Sequence, residues 1–293
     1  MTLFKGAGVA LVTPFWDDKV DYTALASLID WQLQEGVDAI VSCGTTGEAS
    51  TLNDKEHIET VKFTVNRVNR KIPVIAGAGS NDTNHAIALA RELEQTGIDG
   101  LLMVTPYYNK CTQKGLIKHY EEIADSVSIP IILYSVEGRT GVNISPSSIA
   151  RLSKHPNIIG IKEASGNMSQ VVEIARYICD DFALYSGNDD MIVPLLSVGS
   201  VGAISTVANI IPKDVSTMIH EYLRGNVTTS MNMQLKMKHL IDAMFIEVNP
   251  IPVKAALNMM ELIKAEYRMP LCPPENLSLY EIMCQLKEYR LIK

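Results

Sequence analysis

Short, wholly apolar runs alternate along the chain with longer segments whose apolar residues recur at helical spacing. Eight runs read as strands, over 8–15, 39–43, 74–78, 100–105, 130–136, 158–162, 183–186 and 201–206. They are apolar on both faces, as strands are when helices cover the sheet. The segments between them, such as 21–35, 54–69, 82–96 and 112–126, are amphipathic. Asp21, Asn53 or Asp54, Asp82, Thr112 and Ser145 stand where N-caps belong, and Gly36 and Gly97 follow last turns. Strand–helix alternation repeated eight times predicts parallel strands joined by crossover helices and closed into a (β/α)8 TIM barrel. A doubly wound open sheet is the alternative. Its dinucleotide turn is missing, because Gly77-Ala78-Gly79-Ser80-Asn81-Asp82 lacks the third glycine. From Ile210 onward only helical patterns remain. The expected division is therefore a catalytic barrel over 1–224 and a C-terminal helical extension over 225–293, packed on it.

Composition narrows the function classes. The chain has 293 residues, 47% hydrophobic and 20% charged, with formal net charge −7, which suits one large soluble core. An acidic balance without a basic patch argues against nucleic acid. The cysteines Cys43, Cys111, Cys179, Cys272 and Cys284 are scattered and never spaced as C-x-x-C. Disulfides and zinc clusters are not expected, and a reducing cytoplasm is the expected compartment. The opening MTLFKGAGVALVTPF is a poor signal peptide, and no apolar run approaches the ~20 residues that span a membrane.

In such barrels the chemistry sits at the C-terminal strand ends. Thr45, Tyr108, Tyr134, Lys162, Asn188 and Thr206 all fall there. Lys162 ends its strand, and alternation puts Gly160, Lys162 and Ala164 on one face and Ile159, Ile161 and Glu163 on the other. The face with less bulk is expected to point into the barrel, leaving room for a long side chain. Few waters reach an amine there, and low dielectric favours the neutral form that attacks a carbonyl. Taken alone, Lys162 also reads as an exposed strand end reaching for water. Glu163 is expected to pair with a cation on the helix side. Tyr134, on the neighbouring strand, can relay the protons that amine attack on a ketone moves. The turn Gly44-Thr45-Thr46-Gly47 offers backbone N–H groups and hydroxyls to a carboxylate, or is simply a strand-to-helix turn. The histidines His57, His85, His119, His155, His220 and His239 lie on helical stretches or their ends, never at ligand spacing, so no metal is expected. Neither a G-x-S-x-G elbow nor a P-loop occurs.

Five motifs carry a resemblance: Gly44-Thr45-Thr46-Gly47-Glu48, Thr105-Pro106-Tyr107-Tyr108-Asn109, the stretch from Tyr134 through Gly141, Lys162-Glu163-Ala164-Ser165-Gly166, and Asn249-Pro250-Ile251-Pro252-Val253-Lys254. Over nearly its whole length the chain resembles the dihydrodipicolinate synthase family, within the lyases that include N-acetylneuraminate lyase. The resemblance implies that Lys162 forms an imine with pyruvate, with no other cofactor. It implies a proton relay of Tyr134, Thr45 and Tyr108, the last from a neighbouring subunit of a tight dimer. Thr46 would hold the pyruvate carboxylate, Gly187 and Ile204 would line the pocket, and Arg139 would receive the carboxylate of aspartate semialdehyde. A homotetramer built as a dimer of dimers is expected.

Two departures from the family pattern stand out. The family usually has a proline where this chain has Glu137, which puts a carboxylate near Arg139. Lysine-inhibited members carry a regulatory pocket that maps to Ala49, Ser50, Asp54, His57, Asn81, His85 and Tyr107 here. His85 stands where those members have a glutamate, so lysine inhibition is expected to be weak or absent. An aldolase for a keto-sugar acid and a non-catalytic barrel that binds small acids are the competing readings.

Overall fold

The computed structural model describes residues 2–293, in which eight parallel strands close into a barrel. They are β1 (Gly6–Ala10), β2 (Ala39–Ser42), β3 (Val74–Gly77), β4 (Gly100–Val104), β5 (Ile131–Ser135), β6 (Ile158–Glu163), β7 (Ala183–Ser186) and β8 (Gly202–Ser205). Neighbours pair in chain order, and β8 closes on β1 with Gly6 opposite Gly202 and Val9 opposite Ser205. Crossover helices such as Tyr22–Gln34, Asp54–Val68, Thr83–Glu94 and Gln113–Ser126 form the outer ring. Helices Val227–Ala243, Ile251–Met259 and Asn276–Glu288 follow the barrel.

The caps explain where helices begin. Asp21 accepts from the N–H groups of Thr23 and Ala24, Asn53 from Glu56, Asp82 from Asn84, Thr112 from Gly115 and Ser145 from Ser148. Each satisfies a donor that the first helical turn leaves free. Gly36 (φ 79°) and Gly97 (φ 86°) carry the left-handed residue after the last turn.

The first strand corrects its expected range. It runs over Gly6–Ala10, not 8–15, and Phe15–Trp16 instead pairs antiparallel with Lys19–Val20. Past Leu11 the backbone leaves the ladder, the Val12 N–H bonding to Asn209 Oδ1 at 3.0 Å, and Pro14 has no N–H with which to rejoin it. Asp17 and Asp18, at φ 53° and 56°, then form the tight two-residue turn that returns the chain.

Side chains sort into two layers. Ala10, Ala39, Val41, Ile75, Leu102, Ile132, Tyr134, Tyr185 and Ile204 pack inside the barrel. Phe4 stacks on Tyr185 there, with ring centres 4.6 Å apart, and its carbonyl accepts from the Tyr185 hydroxyl at 2.9 Å. A larger shell, including Val9, Ile40, Leu101, Leu133, Ile158 and Ile161, packs against the helices. The filled interior leaves the C-terminal mouth as the place where a ligand can enter.

Candidate active site

Strand β6 carries Lys162 to that mouth through a bulge. Ile131 of β5 pairs with Ile158, but Ile132 pairs with Gly160, so Ile159 is an extra residue. Simple alternation had placed Ile159 toward the helices; it packs with the interior cluster instead. From Gly160 onward the expected parity holds. Lys162 lies opposite Tyr134 of β5 and Tyr185 of β7, both interior residues, and is buried at 5% exposure. Its Nζ stands 4.3 Å from the centre of the Tyr134 ring.

The room for Lys162 comes from a different glycine than expected. A Cβ on Gly160 would meet the Ala183 carbonyl oxygen at 2.6 Å, so that glycine lets β6 and β7 approach. A Cβ on Gly187 would lie 3.1 Å from Lys162 Cε and 2.7 Å from Ala164 Cβ. Gly187 is what keeps the lysine stem clear.

A cavity of about 410 Å³ opens beside Tyr134, the ring next to the Lys162 ammonium; Lys162 and Gly187 themselves are not among its lining residues. Thr45, Tyr134 and Arg139 line it. Thr46 does not: it is buried behind the turn, its hydroxyl 3.3 Å from that of Thr206 and accepting from Asn249 Nδ2 at 3.0 Å. Ile204 packs in the barrel interior, below the cavity lining. Tyr108 lies outside the cavity of its own chain, 91% exposed, with a left-handed backbone at φ 71°.

Arg139 sits on a one-turn helix, Glu137–Thr140, that Thr105 steadies through a 2.8 Å hydrogen bond to the Thr140 hydroxyl. Glu137 is the first residue of that helix, where a backbone N–H has no intrahelical partner, so the family's proline is dispensable to the turn. Glu137 forms no ion pair among the described residues, and Arg139 donates from Nη2 to the Asn249 carbonyl at 3.2 Å.

The residues matched to a regulatory pocket line the same cavity: Ala49, Ser50, Asp54, His57, His85 and Tyr107. Asn81 is not among them; it donates to the Tyr107 carbonyl at 3.1 Å. His85 Nε2 lies 3.2 Å from both Asp54 oxygens. His57 is buried against the Gly77 carbonyl at 2.8 Å, and its burial lowers its pKa.

Glu163 departs from expectation. It forms no salt bridge among the described residues and is buried at 2% exposure. Oε1 accepts from the Ser165 N–H at 2.8 Å and from Gln170 Nε2 at 3.5 Å, while Oε2 has no partner. Parity was read correctly, but no cation among the described residues pairs with it: Arg151 and Arg176 on the flanking helices bind Glu121 and Glu173 instead. Sequence reasoning also missed the buried Asp189, which accepts from the N–H groups of Thr206 and Val207 at 3.0 Å. Its position in Ser186-Gly187-Asn188-Asp189, just past a strand end, was the available signal.

Comparison with known proteins places the chain in a family. The family model described as the dihydrodipicolinate synthetase family matches residues 3–289. The chain belongs to that family. A 4-hydroxy-tetrahydrodipicolinate synthase of Caldicellulosiruptor saccharolyticus is 55% identical over 272 residues, 92% of each chain. The crystal structure of dihydrodipicolinate synthase from Thermotoga maritima superposes with a TM-score of 0.98 at 41% identity, covering 99% of this chain and 100% of that one. The enzyme from Cyanidioschyzon merolae, solved with lysine bound, superposes at 0.96 with 36% identity and full coverage of both chains.

Burial holds the Glu163 carboxyl above its usual range, against the opposing pull of Ser165 and Gln170. The native state therefore retains a proton that the unfolded chain releases. The stability this gives is complete below the ordinary glutamate pKa of ~4.3 and is lost as pH rises through the raised value. Glu163→Gln keeps the acceptor for Ser165 and removes the ionisation. Urea unfolding is expected to show the variant gaining on the wild type as pH rises above the ordinary glutamate pKa of ~4.3. A gap that stays constant as pH rises would contradict it.

Proposed function

We propose that the chain condenses pyruvate with L-aspartate 4-semialdehyde to 4-hydroxy-tetrahydrodipicolinate, a step of lysine and diaminopimelate biosynthesis. The observation that carries this reading is the pairing of Lys162 with Tyr134 beside a cavity that Thr45 and Arg139 also line. In it, the Lys162 amine adds to the pyruvate ketone, and the carbinolamine loses water to give an imine. Tyr134 and Thr45 carry the protons these steps move. A proton lost from the pyruvate methyl gives an enamine, whose carbon attacks the aldehyde. The substrate's own amine then attacks the imine carbon, displaces Lys162 and closes the ring. The enzyme needs no cofactor beyond this covalent imine.

In this reading the backbone N–H groups of the turn at Thr46 hold the pyruvate carboxylate, with Gly187 and Ile204 shaping the floor, while the Thr46 hydroxyl is tied behind the turn by Asn249 and Thr206. Tyr108 completes the relay of a neighbouring subunit, which its exposure and fixed left-handed backbone support. The working form is then a dimer, and two such dimers make the tetramer. No described helix is long and apolar enough to cross a membrane, and we assign the enzyme to the cytoplasm.

Arg139 separates this reading from a keto-sugar acid aldolase, because a guanidinium binds the carboxylate of a short amino-acid aldehyde bidentately. The enzyme is expected to consume aspartate semialdehyde with pyruvate and to leave sugar acids untouched. Arg139→Ala is expected to raise KM for the semialdehyde about tenfold, leaving that for pyruvate within about twofold, as loss of one charge-assisted contact does. Turnover of a sugar acid at a comparable rate would overturn the assignment.

Lysine inhibition is a second test. A ligand ammonium needs a free carboxylate, and Asp54 already engages His85. Activity titrated with L-lysine is expected to fall little up to millimolar concentrations; strong inhibition at low concentration would sink this part.

A further inference from the structure

Glu48 and Lys254 bury opposite charges out of reach of solvent. Their side chains are 1% and 0% exposed, and Nζ lies 2.5 Å from Oε1. Glu48 ends the turn 44–48 with a left-handed backbone (φ 52°), a conformation that a non-glycine residue seldom adopts. Its N–H bonds to the Thr45 carbonyl at 3.1 Å. Lys254 comes from the C-terminal helix Ile251–Met259. The ring of Phe15 lies 4.4 Å from its ammonium, and that of Tyr267 lies 5.3 Å away. Burial lowers the Lys254 pKa, and Glu48 opposes that shift.

The surroundings tighten the same grip. Arg268 stacks its guanidinium 4.4 Å from the Phe15 ring centre and binds both oxygens of Glu56, at 2.9 and 2.7 Å. It also donates to the Thr51 carbonyl at 3.0 Å, and its N–H reaches Glu48 Oε2 at 3.4 Å. Asn249, five residues before Lys254, donates to the Thr46 hydroxyl. Thr13 holds the turn from the other side through the Gly47 carbonyl at 2.7 Å. The segment 249–268 thus grips the turn at Thr46 and again at Glu48.

A buried ion pair adds little net stability, because desolvation cancels much of the attraction. Its geometric consequence is larger: a charge held in low dielectric by one partner has no second place to go. We propose that Lys254 is a positioning residue for the pyruvate half of the site: through Glu48 it fixes the turn so that Thr45 and Thr46 meet the pyruvate carboxyl and ketone. This rests on the assignment of that turn to pyruvate.

Steady-state kinetics and thermal unfolding of full-length variants test it. Lys254→Met is expected to lose about 10- to 100-fold in kcat/KM for pyruvate, with KM for the semialdehyde within about twofold, the mark of a displaced binding group. Borohydride at saturating pyruvate still labels Lys162. The double variant Glu48→Gln/Lys254→Met buries no charge, so it is expected to regain thermal stability and keep the pyruvate defect. It carries the test alone if Lys254→Met does not fold. A double variant with wild-type pyruvate kinetics would overturn the proposal, leaving the pair a merely structural contact. Thr46→Val separates the two levels. A raised pyruvate KM there, beside normal kinetics in the double variant, rejects only the role of Lys254. An unchanged KM in Thr46→Val rejects the assignment of the turn, and the proposal with it.

Discussion

One extra residue in β6 decides which way Lys162 points. Ile158 faces the helices with its partner Ile131, and strict alternation from there would send Lys162 outward as well. The bulge at Ile159 shifts the count by one, so Gly160 pairs with Ile132 and Lys162 with Tyr134, both facing inward. A bulge costs ladder hydrogen bonds, and here it re-aims the residue on which the proposed chemistry depends. The close approach of β7 at Gly160 and the bare Cα of Gly187 then follow as conditions for fitting the lysine stem.

The mouth of the barrel is held by contacts that come from far along the chain. Asn249 links Thr46 to Arg139, donating to one and accepting from the other. Asp189 fixes the backbone of Thr206, whose hydroxyl meets Thr46. These bonds join the ends of β2, β5, β7 and β8 to the C-terminal extension. The extension therefore forms part of the frame that sets where polar groups stand, beyond covering the barrel. The cavity also brings Thr45 and Tyr134 and the His57–His85 group into one space.

Much of this was legible in the sequence, for physical reasons. Eight apolar runs at even spacing can be buried on both faces only if helices cover them, so the barrel followed from periodicity. Caps such as Asp21 and Asn53 were readable because their chemistry is local. Register was not readable: a bulge depends on how two strands meet, so Ile159 was put on the wrong face. Long-range pairing was equally hidden. Lys254 and Glu48 lie 206 positions apart, and each alone reads as an ordinary surface charge. Glu163 shows the converse, since its face was foreseen but the lack of a cation opposite it was not.

The central claim is that Lys162 is the residue that binds pyruvate covalently. Incubation with pyruvate and borohydride, followed by peptide mass analysis, tests it most directly. The account predicts one reduced pyruvyl adduct per chain, on the peptide that holds Lys162, and none in Lys162→Ala. An adduct on another lysine, or no adduct at saturating pyruvate, would contradict it.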